Sequence, residues 1–227
     1  MIRREVLQTD GVTRLSPGRR FSSVFREGEE ADRLYFLSSG LVKIFTRGKD
    51  GREVILRLAT PCELFGEEAM SEGSTRSASA EVLQDAAIFT IPRQAFIEYA
   101  DSSRDVWPLV TELLIGRQRM LERKIEMLCV EDVETRILQF VREMAERLKQ
   151  EGQSGDFSIP LSQTELAAVI GATRETTSTT LNSLARRGIL RLGRRMLTVP
   201  SFDGLRSSGV ESAPRKEYAL SATGSII

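Results

Sequence analysis

No histidine occurs anywhere in the 227-residue sequence. That absence excludes histidine-based acid–base catalysis, a Ser-His-Asp triad, His-ligated haem and most zinc sites. Cysteine is almost as scarce: Cys62 and Cys129 stand far apart and form no C-x-x-C pattern. Two thiols cannot supply the usual four ligands of an iron–sulfur cluster from one chain. They read as small buried residues of a reduced cytoplasmic protein, and nothing in the neighbouring sequence makes either thiolate-prone for a redox role. Net charge is missing too, with 32 Lys and Arg against 32 Asp and Glu, so no global basic field points to nucleic acid. Residues 1–10 are charged and lack the apolar run of a signal peptide. No stretch is long and apolar enough to cross a bilayer. These absences predict a cytoplasmic, non-membrane protein with no metal site and no obligatory cofactor. Without a Gly-rich nucleophile motif they also predict no enzymatic activity.

What is present is organised around residues 65–80, which read Phe-Gly-Glu-Glu-Ala-Met-Ser-Glu-Gly-Ser-Thr-Arg-Ser-Ala-Ser-Ala. Gly66 lets the backbone approach a ligand closely, and the short segment after it can present free N–H groups to an anion. Arg76 can fork onto a phosphate while Ser77 donates to it. Glu67, acceptor-only when ionised, suits a hydroxyl such as a ribose 2′-OH. The pattern describes a pocket for a small phosphorylated sugar. The alternative is a surface loop whose Glu and Arg form an ordinary ion pair.

The flanking chain tells where this segment sits. Residues 1–18 read as a short helical lead-in ending at the turn Ser16-Pro17-Gly18. Residues 19–92 carry short apolar runs (34–37, 41–45, 54–58, 77–82 and 86–91) cut by glycine turns such as Gly48-Lys49-Asp50-Gly51. Many short strands at regular spacing predict a β-barrel or jelly roll, with the motif on a loop between two strands. Pro92 opens a short helix. Residues 103–127 then form a long helical stretch with Leu114, Leu121 and Leu128 at sevens, widened by Val110, Leu113, Met120 and Ile125. The narrow stripe predicts a homodimeric coiled-coil seam, the alternative being a helix packed on its own domain.

Beyond residue 130 the periodicity is helical. Residues 135–150 carry an apolar face, 151–156 a loop, and 157–160 a short extended piece. Ser162-Gln163-Thr164-Glu165 is a capping box that starts a helix stopping at Gly171-Ala172. Thr173 caps a second helix, residues 174–186, ended by Gly188. Two short helices on a tight turn form a helix-turn-helix, and residues 189–199 read as a basic wing. Residues 160–200 hold six arginines against two glutamates, an excess of four positive charges on a neutral chain. That is the footprint of backbone phosphate contacts on double-stranded DNA; a solvated helical face is the bland alternative. Residues 204–227, rich in Ser, Ala and Gly, read as a disordered tail.

Taken together, residues from about 15 to 203 resemble the Crp–Fnr family of bacterial transcription regulators. Phe65-Gly66-Glu67 with Arg76-Ser77-Ala78 is similar to the family's phosphate-binding cassette, and 171–177, Gly-Ala-Thr-Arg-Glu-Thr-Thr, to its recognition-helix start. The resemblance implies an α+β fold. Residues 1–102 would be a cyclic-nucleotide-binding β-roll, 103–131 the dimerisation helix, 132–203 a winged helix-turn-helix and 204–227 the tail. It implies a cyclic nucleotide such as cyclic AMP as effector, with Gly66, Glu67, Arg76 and Ser77 on its ribose and phosphate. It further implies a homodimer on a pseudo-palindromic promoter site, with RNA polymerase as a partner. Arg174 and Glu175 would read base edges, as guanine O6/N7 and cytosine N4 allow. Thr173, Thr176, Thr177, Thr179 and wing Arg194 would complete the DNA surface.

Four positions depart from that pattern. Where cyclic AMP receptor proteins offer a Thr-Ser pair to the base, Leu121 and Glu122 stand, and leucine cannot hydrogen-bond a base. Thr179 replaces a base-reading arginine. Glu68 takes a place that is usually apolar. A regulator with a vestigial pocket, controlled by its abundance, is the alternative within this class, and a regulatory subunit that binds only protein lies outside it.

Overall fold

The computed structural model describes residues 11–15, 18–148 and 156–200. The expected tail at 204–227, most of the lead-in and most of the loop at 151–156 lie outside the described residues. The N-terminal half is one antiparallel sheet of β1 (Thr13–Arg14), β2 (Ser23–Phe25), β3 (Arg33–Arg47), β4 (Glu53–Ala59), β5 (Glu63–Phe65) and β6 (Ser79–Pro92). Its order is β1-β6-β3-β4, with β2 also on β6 and β5 also on β3. β3 and β6 run the length of the roll, from Arg33 opposite Pro92 to Phe45 opposite Ser79.

The runs at 34–37 and 41–45 are therefore one strand. The pairing shifts register between Leu37 and Val42, where Gly40 holds φ at 93° and a Cβ would lie 2.5 Å from the Ala86 Cα. The bend lets one strand serve two faces. Likewise β6 unites the two later runs, although Ser77 and Ala78 precede it. The helical lead-in is corrected where it is described: Thr13 pairs with Thr90 and Arg14 with Phe89. An unpaired sheet edge claims a short segment more strongly than marginal local helix formation can.

Three helices follow: α1 (Arg93–Ser102), α2 (Val106–Val130) and α3 (Val133–Leu148). α2 buries Val110, and Leu113 packs beside it, against Leu34, Leu64, Ile91 and Phe96 of the roll. Neighbouring positions stay uncovered: Leu114 is 45% exposed, Leu121 49% and Ile125 62%. Covering such a side chain is worth roughly 1.5–3 kcal/mol, so this stripe favours a partner. The stripe read as a single seam is thus divided, with Val110 and Leu113 on the chain's own roll and Leu114, Leu121 and Ile125 open.

The C-terminal half comprises α3, β7 (Phe157–Ile159), α4 (Gln163–Ile170), α5 (Arg174–Arg186), β8 (Arg191–Gly193) and β9 (Met196–Val199), with a small antiparallel sheet ordered β7-β9-β8. Ser162 and Glu165 make the expected capping box of α4, and Thr173 caps α5 by accepting from the Thr176 amide. Ile137, Val141 and Met144 of α3 share one core with Ile170, Leu181 and Leu184 of the helix pair. The same core takes in Leu41, Phe45, Ile55, Leu58 and Leu83 of the roll. Both cysteines are exposed, correcting the expectation of burial. Cys62 occupies a left-handed turn position between β4 and β5, at φ 67°. Among the described residues no helix is long and apolar enough to cross a membrane.

Candidate ligand pocket and nucleic-acid interface

The cassette begins where β5 ends. Gly66 adopts φ 78° and ψ 34°, and a single 3₁₀ turn, Glu67–Met70, follows. A Cβ on Gly66 would stand 2.9 Å from Nη1 of Arg76 and 3.0 Å from the Tyr35 ring, so both conformation and space demand glycine. The loop returns to Arg76, whose amide donates to the Glu29 carbonyl at 2.8 Å. The Arg76 guanidinium is drawn inward. Its Nη1 donates to the Gly66 carbonyl at 3.0 Å and its Nη2 to the Arg33 carbonyl at 2.5 Å. It lies 4.4 Å from the centre of the Phe25 ring, within cation–π range. The residue is only 2% exposed, and its Nε–H has no partner among the described residues.

Successive side chains of the 3₁₀ turn diverge. Glu68 turns to the expected phosphate ligands. One of its oxygens accepts from the Ser77 hydroxyl at 2.8 Å, and the other lies 3.5 Å from Nη1 of Arg76. Glu67 turns away, to Nη2 of Arg57 at 3.7 Å and Nε of Arg117 at 3.6 Å. Gly66, Arg76 and Ser77 are thus brought together, with Glu67 beside them in an ionic cluster. Leu121 and Glu122, both exposed on α2, make no hydrogen bond or ion pair to the cassette among the described residues; Glu122 accepts from Gln118 at 2.9 Å.

That cluster is the part the sequence reading missed. Glu63 accepts from the Thr60 hydroxyl at 2.5 Å and amide at 3.2 Å. Its other contacts are Arg57 and Arg117 at 3.4 Å each and, closely, Arg147 of α3. Burial opposes ionisation of Glu63, but Arg147, Arg117, the Thr60 hydrogen bond and Arg57 outweigh it and hold the carboxyl below its ordinary value. Burial, reinforced by the neighbouring Arg117, pulls Arg57 down to about 10. One signal was available: Arg57 is a lone charge in the apolar run Val54-Ile55-Leu56-Arg57-Leu58, and such a charge needs partners.

On the C-terminal half, Arg174, Glu175, Thr176 and Thr179 line the exposed side of α5, and Arg194 is exposed at the turn between β8 and β9. Thr173 is exposed at the helix cap. Thr177 is corrected: it is fully buried, and its hydroxyl donates to the Thr173 carbonyl at 2.8 Å, so it shapes the helix start and does not reach outward. The charge count also changes. Arg187 pairs with Glu134 at 2.6 Å, Arg191 with Asp156 at 2.8 Å and Arg195 with Glu165 at 2.5 Å. Arg195 also lies 4.9 Å from the Phe21 ring of the roll. Arg174, Arg186 and Arg194 are the arginines of the window with no ion pair among the described residues. Two of the neutralising acids, Glu134 and Asp156, fall outside the window that was counted. The exposed positive charge without an ion pair among the described residues is therefore smaller than the sequence suggested and consists of Arg174, Arg186 and Arg194.

Two family models match this chain: a cyclic nucleotide-binding domain over residues 18–103 and a Crp-like helix-turn-helix domain over residues 135–208. A CRP-like cAMP-activated global transcriptional regulator of Mycobacterium tuberculosis (strain CDC 1551 / Oshkosh) is 33% identical over 174 residues, covering 76% of this chain and 78% of its own. The chain belongs to the Crp–Fnr family of transcription regulators. The cyclic AMP receptor protein of Thermus thermophilus, another Crp–Fnr relative, is 31% identical over 170 residues, 75% of this chain and 76% of its own. The structure of FixK2 from Bradyrhizobium japonicum superposes with a TM-score of 0.76 at 24% identity, over 90% of this chain and 99% of its own, a likeness of fold. Crp–Fnr regulators of this helix-turn-helix class bind DNA and act as dimers.

Proposed function

We propose that this chain is a cytoplasmic, homodimeric regulator that binds a pseudo-palindromic promoter site and senses a cyclic nucleotide of the cyclic AMP type through its β-roll. The observation that carries the reading is the convergence of a buried guanidinium, Arg76, and a hydroxyl, Ser77, on a single anionic group. That donor pair suits a phosphodiester, and the unpartnered Nε–H of Arg76 is a donor such a ligand can satisfy. Glu67 would accept from the ribose 2′-OH. The uncovered stripe of Leu114, Leu121 and Ile125 would form the dimer seam, with division near residues 102, 131 and 203. Arg174 and Glu175 would read bases, while Thr173, Thr176, Thr179 and Arg194 face the backbone. RNA polymerase would be the downstream partner.

Ligand binding would act by favouring one of two dimer arrangements, which requires different affinity in each. Calorimetric titration with cyclic AMP and cyclic GMP, with DNA binding measured in the presence and absence of each, tests this. Saturable binding that changes DNA affinity is expected, and no heat with unchanged DNA binding would overturn it. A second reading, a ligand-independent regulator, is favoured by the carboxylate of Glu68 between the two anion ligands and by Leu121 and Glu122 in place of base-binding hydroxyls.

A further inference from the structure

We infer that Glu68 is a tethered competitor for the anion subsite: its carboxylate takes the place of the ligand's phosphate and must be displaced before an anion can bind. The inference rests on the reading that Arg76 and Ser77 form a phosphate site, and it assigns that site a mode of regulation.

Three observations carry it. First, Glu68 makes the contacts a phosphate would make. Its two oxygens are divided between the Ser77 hydroxyl, at 2.8 Å, and Nη1 of Arg76, at 3.5 Å. Second, the guanidinium is inaccessible with Glu68 in place. The Arg76 side chain is 1% exposed, whereas that of Glu68 is 28% exposed, so the carboxylate lies on the solvent side and has room to leave. Third, Arg76 does not depend on Glu68 for its position. The carbonyls of Gly66 and Arg33 and the Phe25 ring hold it, so removal of the carboxylate leaves the donor in place. The contact to Glu68 is the longest of the guanidinium's hydrogen bonds.

The consequences are quantitative. A side chain that fills the subsite most of the time reduces apparent affinity by the fraction of time it is absent. Occupancy of about 90–99% would weaken binding roughly 10- to 100-fold. The penalty also scales with ligand charge. With Glu68 retained nearby, a dianion meets twice the repulsion of a monoanion, so the site is biased toward cyclic phosphodiesters and against phosphomonoesters.

The test uses the full-length protein, with Glu68→Gln, which keeps the size and an acceptor for Ser77 but removes the charge, and Glu68→Leu, which removes both. Calorimetry at fixed ionic strength would compare cyclic AMP, adenosine 5′-monophosphate and inorganic phosphate. Both variants are expected to bind cyclic AMP about 10- to 100-fold more tightly than the wild type, and the 5′-monophosphate with a larger gain. If cyclic AMP binds folded variants and wild type alike, the competitor role falls while the cyclic-nucleotide reading stands. If the variants gain inorganic phosphate binding but no form binds cyclic AMP, the competitor role stands and that reading falls. Weaker DNA binding by both variants, with no gain for any anion, would also overturn the inference, because Glu68 would then replace a ligand and not oppose one. Should one substitution prevent folding, as far-ultraviolet circular dichroism reveals, the other decides.

Discussion

Glu63 at the start of β5 and Arg147 near the end of α3 form a close ion pair that ties the β-roll to the helix-turn-helix half. The same guanidinium donates to the Leu58 carbonyl at 3.1 Å and the Thr60 hydroxyl at 3.2 Å. Glu63 and Glu67 are linked to the same two arginines, Arg57 and Arg117. A ligand hydroxyl on Glu67 would therefore act on a group three ionic contacts away from α3.

Arg147→Ala is expected to loosen this tie while leaving Glu63 paired with Arg57 and Arg117. Because the pair is only partly buried, the cost should be about 1–3 kcal/mol, below that of breaking a fully buried one. Urea denaturation would measure it. DNA affinity should also lose part of its ligand dependence.

Acidification should weaken the same tie. The folded pKa of Glu63 lies below its ordinary value, so its stabilisation is complete above the unfolded carboxyl's pKa and is lost as pH falls through the folded value. Comparing melting temperatures from pH 7 to pH 3, Glu63→Gln should start less stable and lose less than the wild type.

Lys124 predicts a trend of the same sign at the alkaline end. Its ammonium donates to the Ile55 and Leu56 carbonyls at 2.6 and 3.0 Å, yet burial draws its pKa from 10.5 to about 8, against the opposing charge of Glu143. The unfolded state then holds more protons between those values, so this residue's contribution rises as pH rises from about 8 to 10.5. The difference in unfolding free energy between wild type and Lys124→Met should change with pH in that window only.

Gly66→Ala should disrupt the pocket at its floor. An alanine at φ 78° is strained, and its Cβ meets Arg76, so a loss of roughly 1–3 kcal/mol is expected. Anion binding should fall together with stability, as read by thermal melts and calorimetry.

On DNA, Arg174→Ala should relax base preference at one position of each half-site, worth about 1–3 kcal/mol of discrimination. Arg194→Ala should weaken binding evenly across sequences and reduce the salt slope by about one. Thr177→Val should lower stability without altering base preference. Binding-site selection with salt titration separates the three.

The sequence revealed most of what repeats along the chain. Ser162 and Glu165 announced α4, Thr173 announced α5, and apolar periodicity outlined α3, because capping and amphipathic patterns are local. Gly66, Arg76 and Ser77 were legible for the same reason, lying within one loop. What was hidden depended on contacts across many residues. Nothing near Glu63 in sequence signals Arg147, and nothing in residues 160–200 signals Glu134 and Asp156, which neutralise two of its arginines. Gly40 looked like a turn between strands because glycine marks turns and bulges alike, and only the pairing with β6 tells them apart. Thr177 looked available because a helix start does not disclose which side faces the core.

The single apolar core that runs from Leu58 and Phe45 through Val141 to Leu184 bears on how members of this family exchange parts. A DNA reader transplanted at residue 131 would leave behind the strand surface it packs against and arrive with a bare apolar flank. Successful chimaeras must therefore carry the partner face of β3 and β4 with the incoming reader, or match its contours side chain by side chain. On the proposed reading, a change of base preference would then be reached more simply by substitutions on the outer side of α5 than by exchanging the unit that bears them.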